Sequence, residues 1–184
     1  MTTSDDERLF DINRNTYDWC VRSFQAVRKR LGLNIKVHND DGLMEQGHIF
    51  LFNHFARFET IIPPFVIHRT TGVYCRSVAD HNLFEGSEKF AKFLRGVGAV
   101  PNNLPGLLPF LAAEILRGRK VVVFPEGGMV KDRRVLAEDG TFSIYSRKSL
   151  ERRQHHRGAA VLAMTLDMFK RRILELHDRG DHKR

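Results

Sequence analysis

Very little in this 184-residue chain could staple it, span a bilayer or hold a metal. Only two cysteines occur, Cys20 and Cys75, and neither has partners at metal-ligand spacing. A disulfide framework is therefore excluded, and buried free thiols in a reducing compartment are expected. His155, His156, His177 and His182 also lack cysteine or carboxylate partners at zinc spacings, so no metal site is expected. No apolar run approaches the roughly 18 to 20 residues of a spanning helix. The first residues, Met1-Thr2-Thr3-Ser4-Asp5-Asp6-Glu7, are too polar and acidic for a secretory signal. Gly96-x-Gly98 lacks the third glycine of a dinucleotide fingerprint, and no Gly-x4-Gly-Lys phosphate loop exists. No internal repeat is evident. These absences leave a soluble or peripheral protein with no cofactor of its own.

What is present suits one core. Hydrophobic residues make up 42% of the chain, 14 of them phenylalanine, at a single-domain length. Helical and strand patterns alternate, which predicts an α/β fold: a single domain with a mixed central sheet flanked by helices. An amphipathic helix is expected over residues 5–31, ending near Gly32, and sets off segment 1–33 from a domain over 34–184. Cys20, Phe24, Val27 and Leu31 form its apolar stripe, for core packing or membrane contact, with Arg22, Arg28, Lys29 and Arg30 around it. Trp19 is a helix-packing or interfacial aromatic. Strands are predicted at 34–38 and 48–52, joined by a turn at 39–42, and again at 73–78, 99–100 and 120–124. Helices are predicted after Glu59, at 87–94, at 106–116 and at 150–176, with a loop or hairpin over 127–149. His38, His68 and His81 are expected to be surface or hydrogen-bonded structural residues.

Two strand ends carry the chemistry. The run Ile49 to Phe52 ends in Asn53-His54, and Glu59 follows the histidine after four residues; this is the one His-x4-acid spacing in the chain. About seventy residues later a second run, Val121 to Phe124, ends in Pro125-Glu126-Gly127-Gly128. Open α/β sheets place ligand and catalytic groups beyond strand ends, so the two motifs are expected to form two edges of one site. Histidine suits a general base at neutral pH, and an acidic partner would fix its tautomer and stabilise the imidazolium. On a continuous helix positions 54 and 59 would stand about 140° apart. The chain must therefore turn between them, with His54 in the loop and Glu59 near a helix start, where Pro63 and Pro64 are tolerated. Gly127 and Gly128 would let backbone amides approach an anion.

These residues resemble the glycerolipid (lysophospholipid) acyltransferase family, with its His-x4-Asp and Phe-Pro-Glu-Gly signatures. The resemblance spans roughly residues 35–163 and includes Gly98-Ala99-Val100-Pro101 at the place of the family's middle motif. Also similar is the stretch from Arg157 to Ala163, like the helix before the family's last motif. The resemblance implies transfer of a fatty acyl group from acyl-coenzyme A or acyl-carrier protein to a glycerol-phosphate or lysophospholipid hydroxyl. His54 would be the base and Glu59, in place of the usual aspartate, its partner. Asn53, Glu126, Gly127 and Gly128 would shape the acceptor site. Met129 and Leu104 stand near positions where the family usually has arginine, so Lys131, Arg133 and Arg134 are expected to carry any phosphate contact.

The net charge of +8 is concentrated late: residues 147–184 hold eleven Lys/Arg against five Asp/Glu. Such a surface attracts anionic lipid, acidic carrier protein, coenzyme A or nucleic acid. An enzyme at the inner, cytoplasmic face of a membrane is expected, peripheral to it and with no nucleic-acid partner. A non-catalytic membrane-lipid or nucleic-acid binding module using the basic C-terminal region is the alternative. No apolar strand follows the last helix where the family has its final motif, so the domain is expected to be C-terminally incomplete.

Overall fold

Short β-branched and aromatic runs become four strands: β1 (Ile49–Leu51), β2 (Cys75–Ala79), β3 (Ala99–Pro101) and β4 (Lys120–Val123). The computed structural model describes residues 10–38, 40–53, 58–125 and 157–180, with backbone alone at 58 and 59. The sheet order is β1-β4-β2-β3 and every pairing is parallel. The expected single α/β domain is therefore what forms. β4, last in sequence, sits between β1 and β2, with Ile49 opposite Val121 and Leu51 opposite Val123.

Alternation along the strands divides the core. On one face Ile49, Val78, Val100 and Val121 meet Leu111, Ala112 and Ile115 of helix 107–116 and Leu162 and Leu166 of helix 158–178. On the other, Phe50, Cys75 and Val122 meet Ile67 of helix 62–71. In chain order the helices are α1 (Arg14–Arg30), α2 (Leu43–Gln46), α3 (Ile62–Thr71), α4 (Asn82–Glu85), α5 (Glu88–Gly96), α6 (Leu107–Leu116) and α7 (Gly158–Asp178). Sealing residues such as Val121, Ile67 and Leu111 from water contributes about 1.5 to 3 kcal/mol each.

A charged pair lies within this apolar core. Arg76 on β2 is 1% exposed and its Nε donates to Glu114 Oε2 of α6 at 2.6 Å. The same carboxylate meets Arg119 at 2.9 Å and Arg117 at 3.2 Å. Burial pulls the Arg76 guanidinium below its ordinary pKa, and Glu114 opposes that pull. Arg76 also donates to the Phe10 carbonyl, tying the N-terminal segment to the central strand.

Two expectations need correction. The first helix does not run through residues 10–13: it starts at Arg14, with the Asn13 side chain accepting from Thr16 N–H as its cap. Phe10 and Ile12 are drawn into the core instead, 6% and 8% exposed. Residues 34–38 form no strand. Ile35 and Val37 instead line a cleft of about 250 Å³ with Phe65 and Val66 of α3, and Val37 is 45% exposed. The turn after them opens α2, where Asp40 accepts from Met44 N–H and the Lys120 ammonium donates to the carbonyls of Glu45 and Gly47.

The middle glycine has a steric reason. Gly98 has φ +87°, and a Cβ there would stand 2.2 Å from the Cys75 carbonyl oxygen, so β2 and β3 could not come together around a side chain.

Candidate active site

The two chemical motifs leave the sheet side by side. β1 and β4 are neighbours running in the same direction, and Phe52 N–H donates to the Val123 carbonyl at 3.1 Å, extending the ladder past Leu51. Asn53 and Pro125 therefore emerge from one carboxyl edge on strands about 4.8 Å apart. Both departure points are anchored. Phe52 and Phe124, each one residue before its motif, pack against the Ile67, Cys75 and Val122 cluster.

Beyond that anchor only part of the expected site is described. Asn53 is exposed at the edge. The backbone of Glu59 lies in a 3₁₀ turn (Phe58–Ile61) that runs into α3, whose first turn holds Pro63 and Pro64. His54, Glu126, Gly127, Gly128, Lys131, Arg133 and Arg134 lie outside the described residues, as does the Glu59 side chain. The expected loop over 127–149 lies outside them too.

The same edge continues across β2 and β3, beyond the two motifs. After β2 come Asp80, His81 and Asn82; after β3 come Asn102 and Asn103. His81 N–H donates to Asn102 Oδ1 at 3.2 Å, and His81 Nδ1 stands 3.1 Å from the same oxygen. An amide oxygen only accepts, so Nδ1 carries the proton in this contact. The Asn82 side chain donates to Asp80 Oδ1 at 2.7 Å. Knowledge of the strand order would have pointed to these residues, since β2 is the other neighbour of β4. Leu104 packs against the larger core cluster, so the position where an arginine is usual in the resembled family is apolar and turned inward. Among the described residues, the turns following the four strands carry no lysine or arginine.

The opposite, amino edge of the sheet holds a cleft of about 300 Å³ lined by Glu45, His48, Thr70, Arg119 and Lys120. Burial lowers the pKa of both His48 and Lys120, and for His48 the charges of Lys170 and Lys120 add to the effect. This is the wrong end for strand-end chemistry in a parallel sheet, and Lys120 is committed to holding α2. No cluster of three or more potential metal ligands occurs among the described residues.

A family model described as Acyltransferase matches residues 34–173, about three quarters of the chain. No curated protein and no solved structure matches.

Proposed function

This chain belongs to the Acyltransferase family, and from that premise we propose that it moves a fatty acyl group from acyl-coenzyme A or acyl-carrier protein to a lipid-type hydroxyl. His54 removes the acceptor's proton as its oxygen attacks the thioester carbonyl. The carbon–sulfur bond then breaks, and the proton passes from the imidazolium to the departing thiolate. An ester and a free thiol result, and no protein nucleophile is needed. Glu59 orients the imidazole; Asn53, Glu126, Gly127 and Gly128 shape the acceptor pocket.

The observation that supports this reading most is the adjacency of β1 and β4. Motifs about seventy residues apart in sequence leave one sheet edge on neighbouring parallel strands. A glycerol-phosphate or lysophospholipid acceptor fits the family, with its phosphate met by Lys131, Arg133 and Arg134, since Leu104 is apolar and packed. The lipid substrate calls for a peripheral position at the cytoplasmic face of a membrane; no described helix is long and apolar enough to cross one. The binding-module alternative would draw on α7, where two of the cations are already paired, Arg171 with Asp167 at 2.8 Å and Arg172 with Glu175 at 3.1 Å.

The test is turnover with labelled acyl-coenzyme A and a panel of lysolipids and alcohols. His54→Ala should cost about 10²- to 10⁴-fold with an unchanged melting curve. Glu59→Gln should be impaired and Glu59→Asp tolerated. Near-normal transfer by a folded His54→Ala protein would overturn the mechanism.

A further inference from the structure

We propose that the outer face of α1, with the segment that follows it, is the surface by which this protein docks on an anionic lipid membrane. This deepens the lipid-acceptor reading by naming the face that meets the lipid. Its test uses binding alone, so it can fail while the acyltransferase reading stands, or the reverse.

The composition of the stretch is one-sided. Residues 19–38 contain no aspartate or glutamate and five cations, Arg22, Arg28, Lys29, Arg30 and Lys36. Large apolar side chains are interleaved with them and left outside: Trp19 is 60% exposed, Val27 51%, Leu31 65% and Leu33 51%. At 100° per residue, Trp19, Ser23, Ala26, Val27 and Arg30 share an outward arc of roughly 100°, flanked by Arg22 and Lys29.

The inner side of the helix is already committed. Tyr17 is buried and accepts from Cys75 N–H, the Tyr74 hydroxyl donates to Asp18, and Phe24 meets Phe65 edge-on at 4.7 Å. The outer arc therefore has no part in the described core. A helix turned to water would carry mixed charge there. This one carries a tryptophan, aliphatics and cations, the set that suits the boundary between anionic headgroups and acyl chains.

α1 rests through Phe24 on Phe65 of α3, and α3 begins at Ile62, three residues past Glu59. The first turns of α1 stand at the amino edge of the sheet, where Asn13 N–H donates to the Gly96 carbonyl and Cys75 N–H to the Tyr17 hydroxyl. The C-terminal helix also exposes large apolar side chains, Met164, Met168, Ile173 and Leu174, but acids Asp167, Glu175 and Asp178 are interspersed with its cations, which makes it the weaker candidate.

Trp19 is the chain's only tryptophan, so its emission reports on this face alone. The full chain would be titrated with vesicles of equal parts phosphatidylglycerol and phosphatidylcholine, and with pure phosphatidylcholine. A blue shift and protection from iodide are expected on the anionic vesicles only. Each cation near such a surface contributes about fivefold to binding, so Arg22→Glu/Lys29→Glu/Arg30→Glu should weaken it by about 100-fold or more. Val27→Ser/Leu31→Ser should keep salt-sensitive binding but lose much of the blue shift. All these positions are exposed, so melting temperatures should stay within a few degrees of the parent chain, the small loss coming from acids placed in the last turn of α1. No shift on anionic vesicles, an equal shift on neutral ones, or undiminished binding by the triple variant would each overturn the proposal. So would a shift that grows with protein concentration without lipid, or one produced by nucleic acid but not by vesicles.

Discussion

Replacing Glu114 by glutamine should be among the most damaging isosteric changes to this fold. The side chain keeps its shape and one hydrogen-bonding oxygen, but the charge that neutralises Arg76 is gone. Arg76 is 1% exposed and Glu114 2%, so water cannot substitute for the lost partner. Breaking a buried pair from one side costs about 3 to 5 kcal/mol. At roughly 2 to 4 °C per kcal/mol for a chain of this size, the melting temperature should fall by about 6 to 20 °C. The double variant Arg76→Met/Glu114→Leu tests whether charge, rather than shape, is responsible. It removes both ions from the core and frees Arg117, whose side chain is 54% exposed, and Arg119, at 26%. The bond from Arg76 to the Phe10 carbonyl and the partner of Arg119 Nε remain lost, at about 1 kcal/mol each. Its stability should therefore lie within about 2 kcal/mol of the parent chain and well above Glu114→Gln. Urea unfolding at pH 7 would measure all three proteins, with an unchanged denaturant slope as the sign that the unfolded states compare. A loss below about 1 kcal/mol for Glu114→Gln, or a double variant as unstable as the summed singles, would refute the reasoning.

Two smaller tests follow from the strands. Gly98→Ala must accommodate a Cβ 2.2 Å from the Cys75 carbonyl oxygen, whereas Gly118→Ala at nearly the same φ (+86° against +87°) meets nothing within 4 Å. The first should cost at least about 2 kcal/mol more than the second in urea unfolding; equal losses would remove the steric argument. Burial pushes the Cys75 thiol up to about 12, above an unfolded thiol near 9, and raises Tyr17 likewise. A raised native pKa gives stability that is complete below the unfolded value and lost as pH climbs towards the native one. Stability should therefore decline from about pH 9, with Cys75 contributing a loss on the order of 4 kcal/mol by about pH 12. Cys75→Ala should show a shallower alkaline decline, and an identical slope would contradict the buried thiol.

Periodicity and turn chemistry made most elements legible, because each is decided within a few residues. The strand at 120–124 and the helix at 106–116 stand within a residue of β4 and α6. What the sequence could not supply is the identity of each element's neighbours. Ile35 and Val37 alternate as a strand does, yet they line a cleft beside α3 and find no ladder partner among the described residues. Arg76 interrupts an apolar strand, and nothing local announces that Glu114, 38 residues away, will neutralise it. The adjacency of β1 and β4 has the same origin. Crossing past β2 to insert β4 is a tertiary choice, and it brings the turn after Val123 beside the one after Leu51. The partner of His81 has that origin too, since its bond to Asn102 exists only once β2 and β3 end at the same level.

The α1 stripe shows how far a pattern reaches. Cys20, Phe24, Val27 and Leu31 are equivalent by spacing, yet Phe24 packs on Phe65 while Val27 and Leu31 stand in the open. Spacing fixes which side chains share a face, and the length of the surface beneath fixes how many of them are covered. α3 covers the stripe near Phe24 and not beyond it. The exposed lower end of α1 thus follows from a helix that outruns its support, in a stretch whose cations have no acid among them. A purely structural helix would gain by replacing Val27 and Leu31 with polar residues, since neither is buried against the core. Their presence beside Trp19 is accounted for if the missing cover is a lipid surface.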